Sequence, residues 1–207
     1  YDFIVYAYLA TYFASQFFPT TDPVAALLAS YGAFASGMVM RPVGGVIFGN
    51  IGDRIGRKAA LQISVVLIAV PTLLIGLLPT YSSIGLWAPA LLIGLRMLQG
   101  LSIGGEYSAS IVFLIERSPP DRRGLIGSFS PMGAFGGLFL GTAISFLCIS
   151  SLGESVMHEW GWRVPFISSA VLTLVGVVAR YSLGHDNTQG LDKLKAPVRE
   201  AFRHYWR

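Results

Sequence analysis

Five polar side chains of one apolar stretch are placed to do chemistry: Arg96, Gln99, Glu106, Tyr107 and Ser110. On a helix turning about 100° per residue they fall within a stripe about 100° wide. Gln99 and Glu106 lie within about 20° of each other, and so do Arg96 and Tyr107. Arg96 and Glu106 are about 15 Å apart along the axis, too far for a direct pair on one helix. A charge left unpaired in hydrocarbon costs about 3 kcal/mol or more. The stripe must therefore face a bundle interior or a wet cavity, which suits a solute or proton pathway. The structural alternative is a buried ion pair with another helix. Glu106 is the better proton carrier, because a carboxyl exchanges protons and a guanidinium keeps its own. Arg96 suits a fixed charge that holds a solute carboxylate or tunes Glu106.

Asp2 opens the first apolar stretch, ahead of Tyr6 and Tyr12. If that helix extends upstream, Asp2 is intramembrane and can take part in proton coupling. If the helix begins at Tyr1, Asp2 is a first-turn residue favoured by the helix dipole. Tyr6 and Gln16 could line a cavity, although aromatic residues in spans more often pack. No metal or cofactor is expected. His158, His185 and His204 lie in connectors or tail with no partner spacing for a metal. No phosphate loop, nucleophile elbow or metalloprotease helix is present, so an enzyme is not expected. A lone cysteine, Cys148, excludes an intrachain disulfide.

The elements that must hold these residues are long and apolar. The chain has 207 residues, 53% hydrophobic and 13% charged, with mean hydropathy +0.60. Soluble domains carry about twice that charge. A span needs about 20 apolar residues in a helix. Six stretches qualify, at about 3–18, 24–48, 59–79, 87–115, 125–149 and 164–182. The expected fold is an all-α membrane bundle of six transmembrane helices within residues 1–182. Starting at Tyr1 rather than Met, the chain reads as a fragment or trimmed form of something longer.

Thirteen of the fifteen Lys and Arg residues fall in the second and fourth connectors, in the tail, or, for Arg41 and Arg180, at helix ends on that side. Only Arg96 and Arg163 do not. The positive-inside rule then puts the N-terminus and the tail in the cytoplasm. That distribution between apolar spans argues against nucleic acid as the partner. Trp87, Trp160 and Trp162 fall at the opposite ends, where indoles favour the interface. Gly133, Gly137 and Gly141 recur every four residues in the fifth span, a spacing that suits close helix packing. Beyond the sixth span, 183–207 is expected to start a cytoplasmic loop. Apolar positions over 191–207 recur near helical spacing, with the helix itself expected at about 197–207. Such an amphipathic helix would lie against anionic membrane lipid, or else be a solvated linker.

The second connector reads Gly49-Asn-Ile-Gly52-Asp53-Arg54-Ile-Gly56-Arg57-Lys58. It is a topology signal at least. It also suits a latch, with Asp53 capping the third helix and Arg57 pairing with Glu116 at the end of the fourth. This stretch, followed by Leu61, resembles the signature loop between helices two and three of the major facilitator superfamily. Arg96-x-x-Gln-Gly100 resembles its fourth-helix motif, and Glu116-x-x-Pro-x-x-x-Arg123-Gly124 resembles the fourth-to-fifth loop of its sugar and metabolite branches. Tyr1-Asp-Phe3, Phe17-Phe-Pro19, Arg41-Pro-x-Gly-Gly45, Leu78-Pro-Thr-Tyr81 and Gln99-Gly-x-Ser-x-Gly-Gly-Glu-Tyr107 are similar to the metabolite:proton symporters. That group includes bacterial proline/betaine, 2-oxoglutarate, citrate and shikimate permeases.

The resemblance implies the N-terminal half of a two-bundle fold, made of two inverted three-helix repeats. The partner it implies is a C-terminal six-helix half. It further implies proton-coupled symport of a small organic solute, a carboxylate or of betaine/proline type, across the bacterial inner membrane. Helices one and four of the family line its cavity. Asp53, Arg54 and Arg57 match the family's inward-side gate, and the wider gate motif takes in Gly49, Gly52, Gly56, Lys58, Glu116 and Arg123. The alternative is a non-transporting membrane component or a remnant of a transporter gene.

Overall fold

A computed structural model describes residues 1–116 and 118–182. Among them the secondary structure is helical, without strands. Six long helices carry the fold: α1 Asp2–Phe17, α2 Pro23–Ile55, α3 Arg57–Leu77, α4 Trp87–Glu116, α5 Phe129–Val156 and α6 Arg163–Ser182. Short helical turns at Tyr81–Ile84, Pro120–Arg122 and Arg123–Gly127 lie in the connectors. The segments Pro23–Ile55, Ala59–Leu77, Trp87–Glu116 and Pro120–Gly161 are long and apolar enough to cross a membrane. Arg163–Gly176 is a shorter apolar helix, and α1 has 16 residues.

The sequence explains the helix ends. Asp22 caps α2 by accepting the Val24 N–H at 2.8 Å, and Pro23 sits in the first turn, where its missing donor is harmless. The glycines of the second connector do not stop α2. It runs through Gly49 and Gly52 to Ile55, seven residues past the expected limit of about 48. Only Gly56 breaks it, at φ 103°, a backbone conformation that favours glycine. The α3 N-cap is Gly56, without a side-chain cap bond. Asp53 lies in the last turn of α2, with the break at Gly56 between it and the next helix. Arg41 is likewise not at a helix end, because α2 continues fourteen residues beyond it. At the far end of α5, Gly153 at φ 78° breaks the helix before a π turn at Met157–Gly161.

Two packing modes hold the bundle. The closest crossing is α2 against α4, where backbones nearly touch. A Cβ on Gly37 would lie 2.7 Å from the Arg96 carbonyl oxygen, and one on Gly100 2.7 Å from the Gly37 Cα. Gly44 meets Leu101, and Gly104 meets Arg41, in the same way. Small residues permit this approach, and close van der Waals packing then stabilises it in lipid. The glycines singled out in α5 behave differently. Gly141 packs on Ile4 and Gly137 on Tyr1, but a Cβ on Gly133 would meet nothing within 4 Å.

The second mode is an aromatic core between α1 and α6. Tyr6, Phe13, Phe17, Trp162 and Phe166 are fully buried and meet mostly edge to face at 4.9–6.4 Å. Each such pair adds about 0.5–1.5 kcal/mol beyond area burial. Trp162 is thus a core residue, not an interfacial one. It lies between Phe13 and Phe17, and its indole N–H donates to the Gln16 side chain at 3.3 Å. Trp87 and Trp160 remain exposed. Gln16 also donates to the His158 carbonyl, tying α1 to the α5–α6 connector. The amphipathic helix expected at about 197–207 lies outside the described residues.

Candidate functional site

A cavity of about 1020 Å³ opens among α1, α2, α4 and α5. Asp2, Arg41, Glu106, Tyr107, Ser110 and Ser130 give it a polar lining, and Phe3, Phe129 and Leu138 are among its apolar walls. The stripe read on α4 does face inward. Glu106, Tyr107 and Ser110 reach the cavity, and Ser110 meets Ser130 of α5 hydroxyl to hydroxyl at 2.7 Å.

Arg96, Gln99 and Tyr6 do not line this cavity. They form a polar layer nearer the Trp87 end of α4, all fully buried. None of the three Arg96 nitrogens has a hydrogen-bond partner. Its guanidinium instead lies 3.6 Å from the centroid of the Tyr6 ring and 6.0 Å from that of Phe166. A desolvated cation–π contact is worth about 2 kcal/mol. The Tyr6 hydroxyl is fixed by the Ser30 carbonyl at 3.0 Å, so the ring is a rigid platform. Gln99 donates to the Thr72 hydroxyl at 2.5 Å, and that hydroxyl donates to the Ile68 carbonyl at 2.8 Å. Its Oε1 is buried and unpartnered.

Asp2 joins the two layers. One carboxylate oxygen is buried without a hydrogen bond. The group interacts with Thr72 and electrostatically with Arg96 and Glu106. It therefore stands level with mid-helix residues of α3 and α4, inside the bundle. Two carboxylates thus feel each other, and one of them, Asp2, also feels the buried guanidinium. Such a set can hold a proton in place of a second cation, because like charges in a low dielectric repel strongly.

The connector motif lies apart from this cavity lining. Gly49, Asp53 and Gly56 are half-buried, Gly52 is buried and Arg54 is exposed. Glu116, the last residue of α4, and Arg123, which starts a short helix, are both exposed. The side chains of Arg57 and Lys58 lie outside the described residues, and so does the expected Arg57–Glu116 pair.

Sequence reasoning missed three lining or supporting residues. Arg41 reads in the sequence as a helix-end charge, and Thr72 and Ser130 are single hydroxyls in apolar runs. Thr72 carries no signal except its register opposite Gln99.

The model of the family described as sugar (and other) transporter matches residues 1–183. The chain belongs to that family, within the major facilitator superfamily. A proline/betaine transporter of Salmonella typhimurium is 38% identical over 205 residues, 98% of this chain and 41% of its own length. The alpha-ketoglutarate permease of Escherichia coli is 40% identical, with 94% of this chain and 45% of its own length covered. The inner membrane metabolite transport protein YhjE of Escherichia coli is 45% identical, with 88% and 42% covered. The chain therefore spans less than half the length of these relatives. Among solved structures, the xylose transporter XylE of Escherichia coli in a partially occluded inward-open conformation shares the fold. Its TM-score is 0.80 at 20% identity, over 89% of this chain and 45% of that one. These family members are membrane transporters, not enzymes, and the bundle is the N-terminal half of their fold.

Proposed function

We propose that this chain is the N-terminal half of a proton-coupled symporter for a small organic solute, a carboxylate or a zwitterion of the proline/betaine kind. The observation that carries this reading is the buried charge set. A fully buried Arg96 without hydrogen bonds interacts with Asp2, which also feels Glu106, and both carboxylates line a cavity large enough for such a solute. Glu106 is the proton carrier, reached from the cavity, and Asp2 links its state to Arg96. Entry of a proton neutralises one carboxylate and lets the charged set close around the solute. A second six-helix bundle completes the cavity, and rocking of the two about a midplane site gives alternating access. The relatives' greater length supports that partner. The protein sits in a bacterial inner membrane with its N-terminus and basic connectors in the cytoplasm, as the distribution of Lys and Arg supports. Asp53, Arg54, Arg57 and Glu116 act at that face as the inward gate.

The test is uptake by the protein expressed from its complete reading frame, in vesicles with an imposed pH gradient. Radiolabelled proline, glycine betaine and 2-oxoglutarate are offered in turn. Accumulation of one of them that collapses with the pH gradient is expected. Failure to accumulate any of the three would leave a non-transporting membrane component as the better reading.

A further inference from the structure

Resting on the transport reading above, we propose that Arg41, not Arg96, is the group that binds the solute carboxylate. Arg96 is fully buried, stacked on Tyr6, and absent from the cavity wall. Among the described residues, a solute entering the cavity meets one guanidinium there, that of Arg41 on α2. Among the described residues Arg41 makes neither a hydrogen bond nor an ion pair, and its Nε is buried without a partner. One contact orients it: the guanidinium carbon lies 4.3 Å from the centroid of the Phe3 ring. Stacking covers one face of the planar group and leaves its edge, where the N–H fork is, for a ligand. That fork matches a carboxylate with two parallel bonds.

The backbone under Arg41 is fixed as well. Its carbonyl abuts Gly104 at the glycine crossing of α2 and α4, so the side chain starts from a rigid point. The rest of the wall suits a zwitterion or hydroxy acid. Asp2 and Glu106 stand on other sides of the same space to attract a cationic end, and Tyr1, Phe3, Tyr107 and Phe129 offer aromatic faces to it. Ser110 and Ser130 supply hydroxyls. The site therefore reads as a carboxylate clamp on α2 facing acidic and aromatic groups on α1 and α4. Pairing of Arg41 with Glu106 or Asp2 is the competing explanation for a cation in this wall.

Equilibrium binding of radiolabelled proline, glycine betaine and 2-oxoglutarate to the purified complete protein tests the assignment, with uptake read beside it. The wild type is expected to bind one of them. Arg41→Gln should weaken that Kd by about tenfold or more, since a hydrogen-bonded charge pair is lost. Arg41→Lys should recover part of the loss, as charge returns without the fork. Kd for Arg41→Gln within about twofold of wild type overturns the proposal, and so does a wild type that binds none of the three. Recovery of wild-type Kd in the double variant Arg41→Gln/Glu106→Gln overturns it too, because Arg41 would then be only a counter-ion. If Arg41→Gln yields no folded protein, Phe3→Leu and Arg41→Lys decide: a severalfold weaker Kd supports the clamp and an unchanged one overturns it. Binding without uptake would reject the transport reading and leave the carboxylate site standing.

Discussion

Arg96 keeps its place by stacking rather than by pairing. Its nearest support is the Tyr6 ring, and the Tyr6 hydroxyl is spent on Ser30, not on the guanidinium. The two parts of Tyr6 can therefore be separated. Tyr6→Phe removes one buried hydrogen bond, about 1 kcal/mol, and keeps the platform. Tyr6→Leu removes the platform and with it a desolvated cation–π contact of about 2 kcal/mol. Thermal unfolding in detergent and solute uptake should both rank wild type, then Tyr6→Phe, then Tyr6→Leu. Equal values for the two variants would mean that the ring does not carry the cation. Glu106 is tested by function rather than stability. Glu106→Gln keeps shape and hydrogen-bonding capacity but holds no exchangeable carboxyl proton. Accumulation against a gradient should be lost while solute exchange across the membrane persists. Uptake against a gradient at the wild-type rate would remove Glu106 from the proton path. Trp162 shows a different limit of residue identity. An indole near a helix end suits the membrane interface, yet here it fills the aromatic core. Only the partner helix, carrying Phe13 and Phe17, decides which of the two applies.

At the scale of helices, apolar length and basic connectors were legible, because hydrocarbon thickness and charge cost act on each segment alone. The inward turn of the α4 stripe was legible for the same reason. What the sequence hid are properties of pairs. The glycine crossing needs Gly37 and Gly44 on α2 to meet Gly100 and Gly104 on α4, and neither helix announces the other's register. The glycines of α5 are the more regular in spacing, yet Gly133 borders open space. The end of α2 was hidden too, since glycine within a helix and glycine ending one look alike until φ is known. The crossing makes a clear prediction. Gly100→Ala places a methyl against the Gly37 backbone, which cannot rotate away, and overpacking of this kind costs about 1–3 kcal/mol. Melting temperature in detergent should fall by several degrees, and Arg41 and Arg96, whose backbones border the crossing, should lose function with it. Gly133→Ala should leave the melting temperature unchanged. A drop for Gly133→Ala as large as for Gly100→Ala would show that the α2–α4 contact does not limit stability.

For the molecule as a whole, charge and burial divide the two ends. Arg163 near the Trp162 end donates to the Leu78 carbonyl at 3.0 Å and stacks on Trp162 at 4.4 Å, so this one outlying cation serves packing. Arg54, Arg122 and Arg123 lie toward the other end, where Arg122 pairs with its exposed neighbour Asp121 at 3.6 Å. An exposed pair of this kind contributes about 0–1 kcal/mol. The positive-inside rule gives connector charges of this kind a part in setting membrane orientation. Labelling with an impermeant maleimide tests it, in a background where Cys148, the lone cysteine, is replaced by serine. Two exposed positions mark the ends, Ser82 in the short helix Tyr81–Ile84 and Asp121 in the basic connector. Ser82→Cys should react on intact cells, and Asp121→Cys only after the membrane is permeabilised. The reverse pattern would invert the bundle. The cavity lined by Asp2, Arg41 and Glu106 lies nearer the basic end of α4, so inversion would also reverse the face of the membrane to which it lies closer.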